Sequence, residues 1–154
     1  RIFSGPLMWP PSVSNLQKKS LEADMKWYHV GIKAAKSEAS VRFYRDILGL
    51  EVIDRVEIWG KQFNFVGNDT ISIEIEQANP GDTPSDPSSM TGLNHFSLVV
   101  DDIHALVEQA RKKGAGVLMD PFHPRPDRLT TFIRDPDGVM IQLIQFVSKD
   151  PAGG

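Results

Sequence analysis

The chain has 154 residues, enough for one ordinary domain or for two small modules that share a core. Its 17 lysines and arginines against 20 aspartates and glutamates leave a formal net charge of -3, without a basic run to follow a phosphate backbone, so nucleic acid is not an expected partner. The absence of cysteine excludes disulfides, thiol nucleophiles and thiolate metal sites, so any metal must use histidine, carboxylate or amide ligands.

The sequence also predicts no membrane association. No stretch approaches the roughly 18 consecutive apolar residues that a membrane span needs. Residues 1–11 are partly apolar, but one glycine and three prolines interrupt them, so they do not form the core of a signal peptide. We therefore expect a reducing, cytoplasmic setting.

Residues 1–24 are predicted to form an N-terminal tail without chemistry. The Pro10-Pro11 pair stops regular structure, and Ser14 followed by Gln17 has the capping-box form of a short helix that would reach Leu21. A second tail is expected at 148–154.

From residue 25 onward the sequence repeats one order of elements. The first copy, residues 25–78, begins with a strand at 27–32 and continues with a helix from Ser37 to Leu48, in which apolar residues recur at three- and four-residue spacing. Gly49 is placed to end this helix. The strand-like runs that follow are 50–58, 61–66 and 71–77.

The second copy, residues 93–147, has the same order. It starts with a strand at 93–100 and a helix that Asp101 or Asp102 would cap and Gly114 would end. The two copies are joined by a linker, residues 79–92, rich in proline, serine, glycine and aspartate. The strand-like runs of the second copy are 117–119, 130–134 and 139–146. The predicted fold class is therefore α+β, with two β-α-β-β-β modules.

Four side chains with ligand chemistry occupy matching places in the two copies. His29 and His95 lie in the two first strands, while Glu74 and Gln142 lie in the two last strands, each between apolar residues. Neighbouring side chains of a strand point to opposite faces. If the apolar neighbours pack on the helices, all four polar side chains project from the concave faces of the two sheets. Their convergence is the strongest indication of function in the sequence.

Four segments carry a family resemblance: Tyr28 to Ile32, Phe43 to Leu50, Asn94 to Leu98, and Asp135-Pro136-Asp137-Gly138. On these segments the chain resembles the vicinal oxygen chelate superfamily, which includes glyoxalase I, methylmalonyl-CoA epimerase, extradiol dioxygenases and the fosfomycin and bleomycin resistance proteins. The resemblance covers nearly everything after Met25. It implies paired modules that form open-barrel clefts around one divalent ion.

The resemblance assigns the four ligands of that ion to His29, Glu74, His95 and Gln142. Two imidazoles, one carboxylate and one amide oxygen suit Zn, Ni, Co, Mn or Fe(II), and they leave positions for water or substrate. Two alternatives stay open. Glu76 points to the same side as Glu74 and would replace it after a slip of register, and Gln142 could be a wall amide beside a three-ligand ion.

The resemblance further implies a divalent-metal-dependent lyase or isomerase of the glyoxalase or epimerase type. Such an enzyme acts on a small molecule with vicinal oxygens by removing a proton next to a metal-chelated carbonyl. Glu74 is the first candidate for the base and Glu76 the second. In family members of this size one cavity often uses a module from each chain, so we expect a homodimer.

Two other functions are kept as alternatives. One is a non-catalytic antibiotic-binding protein, although relatives of that kind generally lack the complete ligand set. The other is an Fe(II) dioxygenase, against which the amide of Gln142 counts, because those enzymes have a carboxylate at that place.

Residues that line the cleft would select the substrate. The segment 121–128 is rich in proline and arginine, and it is interpreted either as a rigid solvated connection or as a lid that offers arginine to an anionic substrate. The candidate substrate-binding residues are Lys33, Arg55, Trp59 and Phe63 in the first module and Arg125 and Arg128 in the second.

Overall fold

The computed structural model describes residues 26–84, 86–89 and 91–147. The predicted tails at 1–24 and 148–154, with the short helix ending near Leu21, lie outside these residues. Neither helix in the described part of the chain is long and apolar enough to cross a membrane.

The first module is a four-stranded mixed sheet with one helix on one face. In it, β1 (Val30–Ala34) leads into α1 (Ser37–Asp46), and β2 (Glu51–Ile58), β3 (Lys61–Gly67) and β4 (Ser72–Gln77) follow. The last strand pairs in parallel with the first, so the order across the sheet is β1-β4-β3-β2. This pairing brings the beginning and the end of the module to neighbouring positions.

The second module has the same plan with one additional strand. Its elements are β5 (Phe96–Val99), α2 (Ile103–Lys112), β6 (Gly116–Val117), β7 (Phe122–Arg125), β8 (Arg128–Arg134) and β9 (Met140–Phe146). The order across the sheet is β5-β9-β8-β6, and β7 also pairs with β8. The α+β class is confirmed, and both sheets stay open as clefts without closing into a barrel.

The prediction of a loop at 121–128 was wrong, because this segment holds β7 and the start of β8. Phe122 pairs with Thr130, and Arg125 pairs with Arg128. The register shifts between these two pairs, and Pro124 lies in that irregular stretch, where a missing backbone N–H interrupts no regular ladder. The segment is an edge hairpin rather than a free lid.

Both helices end where the sequence predicted a glycine stop. Gly49 and Gly114 have φ values of 69° and 75°, which a residue with a Cβ adopts only with strain. Of the two proposed caps for α2, Asp102 is the one used, since its carboxylate accepts a hydrogen bond of 2.9 Å from the backbone N–H of Ala105.

The core lies between each sheet and its helix. Ile73 and Ile75 of β4, and Ile141 and Leu143 of β9, are almost completely buried there. The buried apolar residues of the two modules belong to one cluster. The predicted alternation is therefore confirmed, because the residues between these apolar pairs face away from the helices.

A group of hydrogen bonds, which we call the module junction (Ser40, Tyr44, Asp135 and Asp137), joins the turn between β8 and β9 to α1. The Asp137 carboxylate accepts hydrogen bonds from the Ser40 hydroxyl (2.9 Å) and the Ala35 backbone N–H (2.8 Å). The Tyr44 hydroxyl donates to Asp135 over 3.1 Å. Burial raises the pKa of both Tyr44 and Asp135, so both groups hold their protons more tightly than they would in water.

Candidate functional site

The first module carries a histidine and a carboxylate side by side on the face away from α1. His29 lies directly before β1 rather than in it, and its Nε2 is 3.7 Å from Oε2 of Glu74 in β4. Both side chains are partly covered, with 29% and 25% of their surface exposed. The His29 ring stands edge-on to Phe65 with 5.6 Å between the ring centroids, and Phe65 is the cross-strand partner of Glu74.

The second module repeats this arrangement with an amide in place of the carboxylate. His95 lies directly before β5 and stands edge-on to Phe132 with 5.4 Å between the ring centroids. Phe132 is the cross-strand partner of Gln142 in β9. We call the two arrangements the first half-site (His29, Phe65, Glu74) and the second half-site (His95, Phe132, Gln142).

Hydrogen bonding leaves Nε2 of His95 free to act as a ligand. Nδ1 of His95 is 2.8 Å from the side-chain oxygen of Asn94, whose amide nitrogen donates to the Pro87 carbonyl. The Asn94 oxygen can only accept, so Nδ1 of His95 carries the proton. The lone pair of the ring is then on Nε2.

The first half-site also fits a divalent ion. The 3.7 Å between His29 and Glu74 is too long for a hydrogen bond, but it suits two atoms that each lie about 2.0–2.2 Å from one ion. Among the described residues, Nδ1 of His29 is buried without a hydrogen-bond partner. Nε2, and not this Nδ1, faces the Glu74 carboxylate, so the distance between Nε2 and that carboxylate is the observation that supports an ion here.

The two half-sites are not joined within one chain. Over residues 26–84, 86–89 and 91–147, no group of three or more histidine, aspartate or glutamate side chains is close enough to hold one ion. One chain therefore brings His29 to Glu74, and it brings His95 and Gln142 to the same phenylalanine, but it does not bring the pairs together.

Glu76 shares the face of Glu74 and has a different partner. Its carboxylate accepts a hydrogen bond of 2.8 Å from the Lys61 ammonium. Phe63 pairs with Glu76 across the strands and lies half-buried on the same face. Lys33 also belongs to this face, and its ammonium is 3.2 Å from Asp82 at the start of the linker.

Arg55 does not join these residues. The strand pairing shifts between Val52 and Asp54, so Ile53 is an extra residue that inverts the alternation after it. Arg55 consequently lies on the helix side, where its guanidinium is 3.3 Å from Glu38 of α1. The expectation that it lines the cleft is corrected by this bulge.

The other predicted substrate contacts lie at the periphery. Trp59 is at the tip of the β2–β3 hairpin and is 96% exposed. Arg125 is exposed on β7. Arg128 is half-buried, ion-paired with Asp127, and has its guanidinium carbon 5.1 Å from the centre of the Phe146 ring.

Three residues that contact or pair with residues of the second half-site were missed in the sequence. Phe132 is the repeat equivalent of Phe65, which an alignment of the two copies shows. Ser97 donates a hydrogen bond of 2.6 Å to the Gln142 side-chain oxygen, and the Gln142 amide nitrogen donates to Thr130 over 3.1 Å. The signal for Ser97 was its position two residues after His95, where the first copy has Gly31.

Comparison with known proteins identifies the family. The sequence profile of the glyoxalase/bleomycin resistance protein/dioxygenase superfamily matches residues 26–143. The chain belongs to this superfamily. The resemblance inferred from the sequence is thereby confirmed.

Relatives in this superfamily include several proteins named as lyases. The chain is 33% identical over 128 residues to a probable lactoylglutathione lyase of Synechocystis, with 79% of this chain and 95% of that protein covered. It is 28% identical over 132 residues to a lactoylglutathione lyase of Neisseria meningitidis, covering 82% and 94%. It is 26% identical over 138 residues to a lactoylglutathione lyase of Arabidopsis thaliana. That match includes 86% of this chain but only 48% of the Arabidopsis protein, so this chain spans about half of that protein's length.

Solved structures share the fold. A glyoxylase/bleomycin resistance protein/dioxygenase domain from Frankia superposes with a TM-score of 0.69 at 21% identity, covering 80% of this chain and 98% of that one. Glyoxalase I of Zea mays superposes with a TM-score of 0.67 at 20% identity, covering 79% and 44%.

Proposed function

We propose that this protein is a divalent-metal-dependent lyase of the glyoxalase type, in which each site combines the first half-site of one chain with the second half-site of another. The observation that carries the proposal is the repeated geometry of the half-sites, each with a histidine and an oxygen ligand beside one phenylalanine. Relatives named lactoylglutathione lyase support the same reaction class.

A shared site follows from the count of ligands. Each half-site offers two ligands, which leaves most of a divalent ion's coordination positions to water, whereas two half-sites offer four. A symmetric dimer presents two such combinations, because a twofold axis that joins one first half-site to a second half-site also joins the other pair. The four ligands of one site would be His29 and Glu74 of one chain with His95 and Gln142 of its partner.

The bound ion would polarise the substrate carbonyl and favour negative charge on its oxygen. Glu74 then accepts the proton from the adjacent carbon and returns it to the neighbouring one. The rings of Phe65 and Phe132 border the ligands and limit the access of water to them, which helps a carboxylate act as a base. The proposed substrate is a small molecule with vicinal oxygens, and the glutathione adduct of a 2-oxoaldehyde is the first to test.

Glu74 is preferred to Glu76 as ligand and base because of their partners. Among the described residues Glu74 lies beside His29 and has no lysine or arginine within ion-pair distance, whereas Glu76 is held by Lys61. The Lys61 ammonium occupies the Glu76 carboxylate, whereas the Glu74 carboxylate lies beside His29, where an ion and a substrate can reach it.

The test combines metal analysis with kinetics. Protein purified without chelator is expected to hold one divalent ion per chain, and reconstitution with Zn, Ni, Co, Mn or Fe(II) in turn should identify the ions that support turnover of the glutathione adduct of a 2-oxoaldehyde. Glu74→Gln should lower kcat by about 100-fold or more, and Glu76→Gln by much less. Full activity of Glu74→Gln at unchanged metal content would remove Glu74 from both roles, and tight ligand binding without metal or turnover would favour a binding protein instead.

A further inference from the structure

We infer that Ser97 and Thr130 are positioning residues that fix Gln142 as a stationary ligand, while Gly31 leaves Glu74 without such a restraint and therefore free to move. The inference rests on the proposed function and deepens it. The second module then supplies a fixed ligand, and the first module supplies a mobile base.

The restraint on Gln142 is a chain of three hydrogen bonds with one direction. The Ser97 hydroxyl donates to the Gln142 oxygen over 2.6 Å, and the Gln142 amide nitrogen donates to the Thr130 hydroxyl oxygen over 3.1 Å. The Thr130 hydroxyl in turn donates to the backbone carbonyl of Leu143 over 2.9 Å. We call this chain the Gln142 relay (Ser97, Gln142, Thr130 and the Leu143 carbonyl).

The relay decides which end of the amide faces Ser97. Thr130 has a single hydroxyl proton, and the Leu143 carbonyl already accepts it, so Thr130 can only accept from Gln142. The nitrogen of Gln142 must therefore face Thr130, and the oxygen must face Ser97. Ser97 occupies one lone pair of that oxygen, and the second lone pair stays available for an ion. Thr130 is 2% exposed, so the buried end of the relay has no water with which to exchange its partners.

The first module has no counterpart of the relay. Gly31 is the strand partner of Glu74, as Ser97 is of Gln142, and it has no side chain to donate. Phe63 stands two residues before Phe65, as Thr130 stands two residues before Phe132, and its ring offers no hydrogen bond. Within the described part of the chain, Glu74 accepts no hydrogen bond, and its nearest polar partner is His29 at 3.7 Å.

The backbone at Gly31 leaves room for a side chain. Glu74 lacks a hydrogen-bond donor there because residue 31 is glycine, and not because a donor would not fit. A Cβ added to Gly31 would lie 3.6 Å from the nearer Glu74 oxygen, which is an ordinary van der Waals contact. A serine there is accommodated and could donate to Glu74 as Ser97 donates to Gln142. The two positions therefore allow reciprocal substitutions that remove one restraint and create the other.

Glu74 and Gln142 have different tasks in the proposed reaction, because Glu74 must move a proton and Gln142 only holds the ion. A base has to leave its position to collect a proton, and each hydrogen bond that holds it adds to the cost of that movement. A ligand that only holds the ion benefits from the opposite, since partners that orient metal ligands raise metal affinity. The relay thus restrains the side chain that cannot be a base and leaves the carboxylate unrestrained.

The experiment uses four variants of the full chain: Ser97→Ala, Ser97→Thr, Gly31→Ser, and Ser89→Ala as a surface-serine control. For each, the dissociation constant of the ion is measured by competition with a chelator, and kcat and KM are determined separately. The order parameter of the Gln142 side-chain amide is measured by NMR in metal-free protein, and thermal denaturation shows that each variant is folded.

Ser97→Ala is expected to weaken ion binding about tenfold and to lower the order parameter of the Gln142 amide, and Ser97→Thr should restore both. Gly31→Ser should lower kcat about tenfold with ion affinity unchanged or tighter and KM unchanged. Ser89→Ala should match the wild type.

An unchanged ion affinity and unchanged amide order in Ser97→Ala would overturn the inference, as would a wild-type kcat in Gly31→Ser. Failure of the proposed function has a different signature, in which the wild-type chain itself binds no ion. In that case the amide order parameter of Ser97→Ala still decides whether the relay fixes Gln142.

Discussion

The two modules are alike on the sheet faces that carry the helices and differ on the faces that carry the half-sites. On the helix sides, Ile73 and Ile75 match Ile141 and Leu143 in position and burial. The counterparts on the half-site faces, first module before second, are Gly31 and Ser97, Lys33 and Val99, Phe63 and Thr130, and Glu76 and Ile144. Packing demands the same volumes in both copies, whereas a site made of two different halves can assign a separate task to each.

The largest predicted effect tests whether the halves of one site come from different chains. His29→Ala and His95→Ala are each expected to lower turnover by about 100-fold, because each removes a ligand from every site. When the two variants are mixed, a hybrid dimer contains one site with both histidines missing and one site with both present. Tagged hybrid dimers should therefore recover about half of the wild-type turnover.

Mixing each variant with itself is the control for this complementation and should recover nothing. Hybrids without recovered activity, in a preparation shown by its tags to contain both chains, would mean that each site is built within one chain.

The next prediction concerns the module junction, which joins the turn between β8 and β9 to α1. Tyr44→Phe removes the donor to a buried carboxyl group, so the free energy of unfolding should fall by about 1–3 kcal/mol. Tyr28→Phe is the matched control, because Tyr28 is 79% exposed and its loss of a hydroxyl should change the free energy of unfolding little. The measurement is urea denaturation followed by circular dichroism. Equal effects of the two substitutions would show that the junction does not stabilise the fold.

The buried Tyr44 should also make the free energy of unfolding depend on pH. Burial, followed by the nearby Asp135 carboxylate, raises the pKa of Tyr44 well above its ordinary value of 10.0. The folded chain therefore keeps this proton where the unfolded chain loses it, so the contribution is complete below pH 10 and is lost as the pH rises further. The free energy of unfolding should decline less steeply above pH 10 in Tyr44→Phe than in the wild type. Parallel declines in both proteins would contradict this assignment.

The smallest predicted effect concerns the glycine that follows the helix in each module. Gly49→Ala and Gly114→Ala should each cost about 1 kcal/mol, because both glycines end a helix at positive φ. Gly116→Ala, at a glycine without positive φ and with ordinary contacts around an added Cβ, is the control and should cost much less. Unequal losses at Gly49 and Gly114, measured by chemical denaturation, would show that the two helix ends are not equivalent.

The features that follow from burial could be read from the sequence. Apolar residues at 73 and 75 and at 141 and 143 fixed the inward faces of the last strands, and so the outward faces of Glu74 and Gln142. Helix ends followed from glycine in the same way. These predictions hold because each depends on residues within a few positions of one another.

Features that depend on distant residues or on a local irregularity could not be read in this way. The bulge at Ile53 reverses the side of the sheet that Arg55 faces. The alternation of apolar and polar residues does not predict such an inserted residue. Pro124 led to the prediction of a loop in place of β7, because proline is rare in regular ladders. That β7 is an edge strand follows only from its pairing with β8, which the local sequence does not show. The Gln142 relay links side chains from three strands, two hydroxyls and one amide, and its direction depends on a backbone carbonyl.

The module junction has a consequence for how the protein melts. Separation of the modules would expose the Asp135 carboxyl and the Tyr44 phenol to water and would also open the apolar cluster that both modules share. Neither half can then loosen first at low cost, so we expect a single cooperative transition instead of two steps. Heat would abolish both histidine environments together, although each belongs to a different sheet.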